Sequence, residues 1–112
     1  MDAPTDVPEI GVSDVADQLR AGAVLLDVRE DVEWQAGRAG SAHHIPLGEL
    51  GQRYLELDAG TPVLVICRSG SRSARAVKAL RGAGYEAYNV AGGMKAWAEA
   101  GQAIEPDSGF VA

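Results

Sequence analysis

The chain is predicted to fold as a single α/β domain, with a central parallel sheet of about five strands and helices on both faces. Three observations lead there. Short apolar runs alternate with segments of helical periodicity from one end of the chain to the other. Two of these runs, Val24-Leu25-Leu26 and Val63-Leu64-Val65-Ile66, are continuous rather than alternating, as in strands buried on both faces. A length of 112 residues suits one core and leaves none for a second.

The elements follow in order. Residues 1–8 hold two prolines and two aspartates with little to bury, and read as a flexible arm before a domain over residues 9–101. Ile10 to Val12 is a short edge strand. Ser13 is the expected N-cap of a helix from Asp14 to Ala21, with Val15, Ala16 and Leu19 on one face and Gly22 as its stop. Ala23 to Val28 is a buried strand. Glu30 to Ala36 is a short helix whose acidic first turn suits the helix dipole. Gly37 to Pro46 is irregular around a short extended piece, Leu47 to Leu57 is helical despite Gly51, and Asp58-Ala59-Gly60 turns the chain into the strand Pro62 to Ile66. After the loop that starts at Cys67 come a helix from Ser73 to Ala83, a strand from Glu86 to Val90, and a helix from Met94 to Ala100 introduced by Gly92-Gly93. Residues 102–112 read as a mobile tail.

Charge and composition narrow the function. Ten basic against 16 acidic residues give a net charge of −6, which lacks the general attraction for phosphate backbones on which nucleic-acid binding relies. No stretch approaches the ~20 apolar residues of a membrane span, and the first residues lack the basic and apolar regions of a signal peptide. Cys67 is the only cysteine, so an internal disulfide, a cysteine-based zinc site and an internal resolving thiol are all ruled out, and a reducing cytoplasm is the expected compartment.

That cysteine sits where the strand Val63 to Ile66 opens into Cys67-Arg68-Ser69-Gly70-Ser71-Arg72-Ser73, ahead of a helix. A strand, a loop of small and cationic residues and a helix N-terminus form a cradle whose backbone N–H groups point inward and stabilise negative charge. The first anion it would hold is the Cys67 thiolate. Such surroundings lower a thiol pKa from about 8.5 to roughly 3.5–7.5. A buried structural thiol is the alternative, but that role fits a cysteine inside the apolar run better than one at its exit. In open parallel sheets, ligand sites form at the carboxyl ends of the strands, and Cys67 occupies that place.

These residues together resemble the rhodanese family in its single-domain sulfurtransferase form. Leu25-Leu26-Asp27-Val28-Arg29-Glu30 is similar to the family's Asp-x-Arg strand, and Glu33-Trp34-Gln35-Ala36-Gly37 to the helix after it. Ile45-Pro46-Leu47 with Glu49-Leu50 resembles the next segment, Cys67 to Ser73 the catalytic loop, and Val90-Ala91-Gly92-Gly93-Met94 to Trp97 the closing motif. One departure is visible: Arg38 stands where the family usually has histidine, within Gly37-Arg38-Ala39-Gly40-Ser41.

The resemblance implies a rhodanese-like fold and transfer of sulfane sulfur from thiosulfate or a related small anionic donor, through a persulfide on Cys67, to cyanide or a thiol. It implies no cofactor and no metal. Arg68, Ser69, Gly70, Ser71, Arg72 and Ser73 would bind the substrate, and Asp27 and Arg29, near that loop, would form a structural ion pair or support the loop. Lacking a second cysteine, the protein needs an external acceptor. That acceptor is either a small molecule or a partner protein in a sulfur-containing cofactor or tRNA thiolation pathway.

Two other classes compete. Protein tyrosine phosphatases and arsenate reductases also place a cysteine and an arginine around an anion. The phosphatase signature, however, has one residue more between them than the four, Arg68 to Ser71, that separate Cys67 from Arg72 here. A non-catalytic interaction module is the other rival; degenerate members of the family typically lack the cysteine. Among the remaining residues, His43 and His44 are adjacent on an extended segment and so face opposite sides. Trp34 and Trp97 are expected in core packing. Arg72, Arg75 and Lys78 repeat at three-residue spacing, a basic stripe that is either an ordinary solvated helix face, the preferred reading, or a docking surface for a protein acceptor.

Overall fold

The computed structural model describes residues 7–106 and 109–111. Among the described residues five strands, β1 (Glu9–Ile10), β2 (Val24–Asp27), β3 (His43–His44), β4 (Val63–Ile66) and β5 (Ala87–Val90), form one sheet in the order β1-β5-β4-β2-β3. Every neighbouring pair is parallel, with Leu26 opposite Val65 and Asp27 opposite Ile66. The crossovers carry α1 (Val12–Arg20), α2 (Asp31–Ala36), α3 (Leu50–Arg53) and α4 (Ser71–Gly82), and α5 (Gly93–Glu99) follows the last strand.

The alternation of side chains along β2 and β4 divides the core in two. Leu25, Leu64 and Ile66 point to one face and pack with Val15, Met94 and Trp97 under α1 and α5. Leu26, Val63, Val65 and Cys67 point to the other and pack with Leu50, Val77 and Leu80 under α3 and α4. Each such aliphatic side chain contributes about 1.5–3 kcal/mol on burial. Burial of this kind, and not helix propensity, holds elements as short as the four-residue α3 in place.

Several boundaries differ from the sequence expectation for physical reasons. The first strand ends at Ile10 and the first helix starts at Val12, so Ser13 lies inside the helix and Gly11 is its N-cap, with no side-chain cap. Val12 joins Val15 and Leu19 against the core, and that apolar contact sets the start in preference to a hydroxyl cap. The expected helix over Leu47 to Leu57 is broken into a 3₁₀ turn (Leu47–Glu49), α3 and a second 3₁₀ turn (Tyr54–Glu56). The helix after the cysteine begins at Ser71 rather than Ser73, because Gly70 takes a left-handed conformation (φ 113°) and reverses the chain at once.

Both ends of the chain engage the domain where they are described. Of the arm expected over residues 1–8, residues 1–6 lie outside the described residues, Val7 packs on the core, and the Pro8 carbonyl accepts from Asn89 N at 2.8 Å. The segment read as a mobile tail folds back: Arg38 and Glu105 exchange backbone hydrogen bonds of 3.0 and 2.7 Å, and Ile104 and Val111 pack on the α1/α5 core. Arg38, the departure noted above, donates to the Trp34 carbonyl at 3.2 Å and lies over the Trp34 ring. Trp34 is therefore not a core residue as expected, but a half-buried plate between Arg38 and His44, whose ring stacks on it at 4.5 Å. Trp97 is buried as expected, its Nε1–H donating to Ala103 O at 3.0 Å.

Candidate active site

β4 ends at Ile66 in the middle of the sheet, so the next residue emerges at the carboxyl edge between β2 and β5. Cys67 is that residue. Only 1% of its surface is exposed, and Sγ accepts hydrogen bonds from the Gly70 backbone N–H at 3.1 Å and from the Ser73 hydroxyl at 3.2 Å. The N-terminus of the 12-residue α4 aims at the same point. Burial alone would push the thiol pKa up. The Ser73 hydroxyl and the backbone N–H groups of Ser73, Gly70 and Ser69 outweigh it, and the thiol lies below its ordinary value.

The loop is gripped from behind by α5. Met94 N–H donates to Cys67 O at 2.7 Å and Lys95 N–H to Arg68 O at 3.0 Å, which satisfies the loop's carbonyls outward and leaves its N–H groups facing the sulfur. This contact requires glycine at position 93. A Cβ there would overlap the Cys67 carbonyl oxygen and come within 2.6 Å of that of Arg68, and φ is +59°.

Of the two loop arginines, Arg68 is exposed, and Arg72 is half-buried against Glu33. Its Nη1 and Nη2 donate to Oε1 and Oε2 of Glu33 at 2.7 and 2.8 Å, a forked pair reaching from α4 to α2. The Arg72 bond holds the Glu33 carboxyl down to about 2, and the Glu33 carboxylate raises Arg72 in turn. Glu33 Oε1 also accepts from Glu30 N–H at 2.9 Å, closing a capping box at the start of α2. Any further anion at Arg72 would have to share that guanidinium with Glu33. Glu33 escapes a sequence reading because its partner lies 39 residues away; only the Glu30-x-x-Glu33 capping spacing is visible in the chain.

Asp27 and Arg29 form a fully buried pair, with Arg29 Nη2 and Nε donating to Asp27 Oδ2 at 2.9 and 3.1 Å and the Arg29 backbone N–H to Oδ1 at 3.0 Å. Arg29 Nη2 also donates to Gly37 O at 2.8 Å, and His44 Nε2–H to Arg29 O at 2.8 Å. The pair thus ties the end of β2 to α2 and β3. His43 points the other way and pairs with Glu56 at the surface.

Asn89 was not singled out from the sequence. It is 2% exposed on β5; its Oδ1 accepts from Ser73 at 2.5 Å, and its Nδ2 donates to Gly70 O at 3.1 Å. A buried amide in an otherwise apolar strand just ahead of Gly92-Gly93 is the signal that could have found it. Arg75 and Lys78 are exposed on α4, whereas Arg72, the third member of the expected stripe, is half-buried against Glu33. Elsewhere, an apolar groove of about 330 Å³ runs between Leu47, Leu50 and Tyr54 on one side and Ala79 and Ala83 on the other, away from Cys67. Among the described residues no helix is long and apolar enough to cross a membrane, and no cluster of His, Cys, Asp and Glu has a metal-binding arrangement.

An open parallel sheet that presents one thiol in an anion cradle at its carboxyl edge defines a class of α/β domain built to hold a sulfur-centred anion. The chain belongs to the rhodanese-like domain family, whose model matches residues 12–100. It is 36% identical over 94 residues to the Bacillus subtilis protein named "Putative sulfurtransferase YtwF", covering 82% of this chain and 91% of that one. The solved structure of a rhodanese-related protein from Thermoplasma volcanium superposes with a TM-score of 0.81 at 33% identity, covering 87% of this chain and 96% of the other. A thiosulfate sulfurtransferase from Pseudomonas aeruginosa also superposes with a TM-score of 0.81 at 31% identity, covering 92% of this chain and 21% of that one. Sulfur transfer is the activity to which family and relatives point.

Proposed function

We propose that the domain takes the outer sulfur of thiosulfate, or of a related small anionic donor, onto Cys67 as a persulfide and passes it to a thiol or cyanide. The observation that carries this reading is the set of donors converging on Cys67 Sγ, with the sulfur lying at the bottom of its loop. A thiolate at that depth is reached by the slender sulfane end of a donor more readily than by a bulky group. The Cys67 thiolate attacks the outer sulfur, the bond between that sulfur and the sulfonate breaks, and sulfite leaves with the bonding pair. The charge then resides on the terminal sulfur of the persulfide, which the loop N–H groups from Arg68 to Ser73 stabilise. Arg68 and the donors of Arg72 not engaged by Glu33 hold the sulfonate and the departing sulfite. In the second half, the acceptor attacks the terminal sulfur and restores the thiolate, with no metal or organic cofactor taking part.

The lone cysteine makes the acceptor external, and a reducing cytoplasm keeps that thiol uncapped. Exposed Arg75 and Lys78, one and two turns along α4 from the loop, favour an acidic protein acceptor as a second destination for the sulfur. Intact mass spectrometry after thiosulfate treatment is the test. A gain of one sulfur atom on Cys67, lost in Cys67→Ser together with thiosulfate:cyanide turnover, is expected; retained turnover in Cys67→Ser would reject the mechanism.

A further inference from the structure

Ser73 has one hydroxyl proton and two acceptors. Cys67 Sγ lies 3.2 Å from its oxygen and Asn89 Oδ1 2.5 Å, with Ser73 0% and Asn89 2% exposed. The orientation of the Asn89 amide is not free. Its Nδ2 faces Gly70 O at 3.1 Å and Glu9 Oε2 at 3.3 Å, a carbonyl and a carboxylate that only accept, so the amide oxygen must face Ser73. Both acceptors therefore depend on the same hydrogen.

We propose that Asn89 is a positioning residue that competes with Cys67 for the single proton of Ser73, so that the cradle holds the empty thiolate less tightly than the sulfur-loaded cysteine. The inference rests on the persulfide reading above. When Cys67 is a thiol, its hydrogen points to Ser73 Oγ and the Ser73 hydrogen to Asn89 Oδ1, and every group is satisfied. Ionisation turns the Ser73 hydrogen toward the thiolate and strips Asn89 Oδ1 of its donor in a buried place, which costs free energy. Loading reverses this. The negative charge moves from Sγ to the outer sulfur, Sγ becomes a weak acceptor, and the Ser73 hydrogen returns to Asn89. Asn89 thus removes stabilisation from the reactant thiolate alone, keeps it basic and nucleophilic, and favours the loaded state.

Charged groups also surround the loop. Arg72 lies close enough to interact with the sulfur from α4, with Glu33 and Glu30 from α2 beside Arg72; Arg68 lies on its own loop, and Glu9 lies behind Asn89 on β1. Of these, Glu9 alone is touched by changing Asn89, because it loses the Nδ2 donor; a shift that arose through Glu9 would persist without Ser73, so the double variant separates it from the competition, which is read through Ser73.

The experiment is the pH profile of iodoacetamide alkylation of Cys67 in reduced, donor-free protein, for wild type, Asn89→Ala, Ser73→Ala and the double variant. Release of Ser73 to the thiolate should lower the midpoint of Asn89→Ala by about half to one pH unit. Ser73→Ala should raise it, and the double variant should coincide with Ser73→Ala. A merely structural Asn89 would loosen Gly70 and move the midpoint upward. An unmoved or raised midpoint in Asn89→Ala, or a shift that persists without Ser73, overturns the proposal. Asn89→Leu, close in volume, gives the same decision if alanine opens the core. In a thiosulfate–sulfite mixture, the ratio of loaded to empty protein by intact mass should fall about three- to tenfold in Asn89→Ala. Failure of the wild type to load would strike the persulfide reading, while the donor-free titration still decides the role of Asn89.

Discussion

Asp27–Arg29 and Glu33–Arg72 are both forked arginine–carboxylate pairs, yet the first has 0% of either side chain exposed, whereas in the second Arg72 is 28% and Glu33 15% exposed. The inner pair is tied into the scaffold: Arg29 donates to Asp27 and to the Gly37 carbonyl, and the Arg29 carbonyl accepts from His44 Nε2–H. The outer pair bridges α4 and α2 beside the cysteine loop and is only partly shielded from water. Identical functional groups thus become a rivet in one place and a latch in the other, because burial sets the cost of separating them.

Substitutions can break or sharpen that contrast. Arg29→Met leaves the Asp27 carboxylate buried without its counter-charge, and urea unfolding should show a loss of about 3–5 kcal/mol. A loss under about 1 kcal/mol would place the two pairs on the same footing. Arg72→Ala should cost no more than about 1 kcal/mol of stability but raise the apparent KM for thiosulfate about 10- to 100-fold, since charge-assisted bonds to the sulfonate disappear. Glu33→Gln is the converse change. It should lower that KM by releasing Arg72, with a stability loss of only about 0.5–1 kcal/mol.

Glu33→Gln also changes the acid limb. The Glu33 carboxyl is held at about 2 in the folded state against 4.5 for the unperturbed group. Its contribution to stability is therefore full above the unperturbed value and drains away as pH falls from there toward about 2. Melting temperatures followed across that window should decline less steeply in Glu33→Gln than in wild type. The smallest effect on small-molecule chemistry is expected from Arg75→Glu with Lys78→Glu: unchanged thiosulfate:cyanide turnover, but slower sulfur delivery to an acidic protein acceptor.

The chain's own pattern carried the strand and helix order, the parallel sheet and the place of Cys67 at its edge, because these follow from local periodicity and from the apolar runs over Val24 to Leu26 and Val63 to Ile66. The forked Asp27–Arg29 pair was also accessible, as the two residues stand two apart. What the sequence hid are the contacts made across the sheet. Glu33 with Arg72 joins two different crossovers, Asn89 with Ser73 joins β5 to α4, and the Arg38–Trp34–His44 stack joins α2 and the turn after it to β3. The expected Ser13 cap failed for a related reason: propensity at one residue yielded to the burial of Val12.

Gly93, with the two N–H groups that follow it, completes the cradle from the far side of β5. A ribosome releases the cysteine and its flanking helix well before it releases this clasp. A nascent chain halted after Gly84 would carry Cys67, Arg68 and Arg72 yet have nothing to draw the loop's carbonyls outward, and its thiol would react as an ordinary one. Reactivity at a single atom would thus register the arrival of β5 and α5 together, and a thiol-specific dye would follow it.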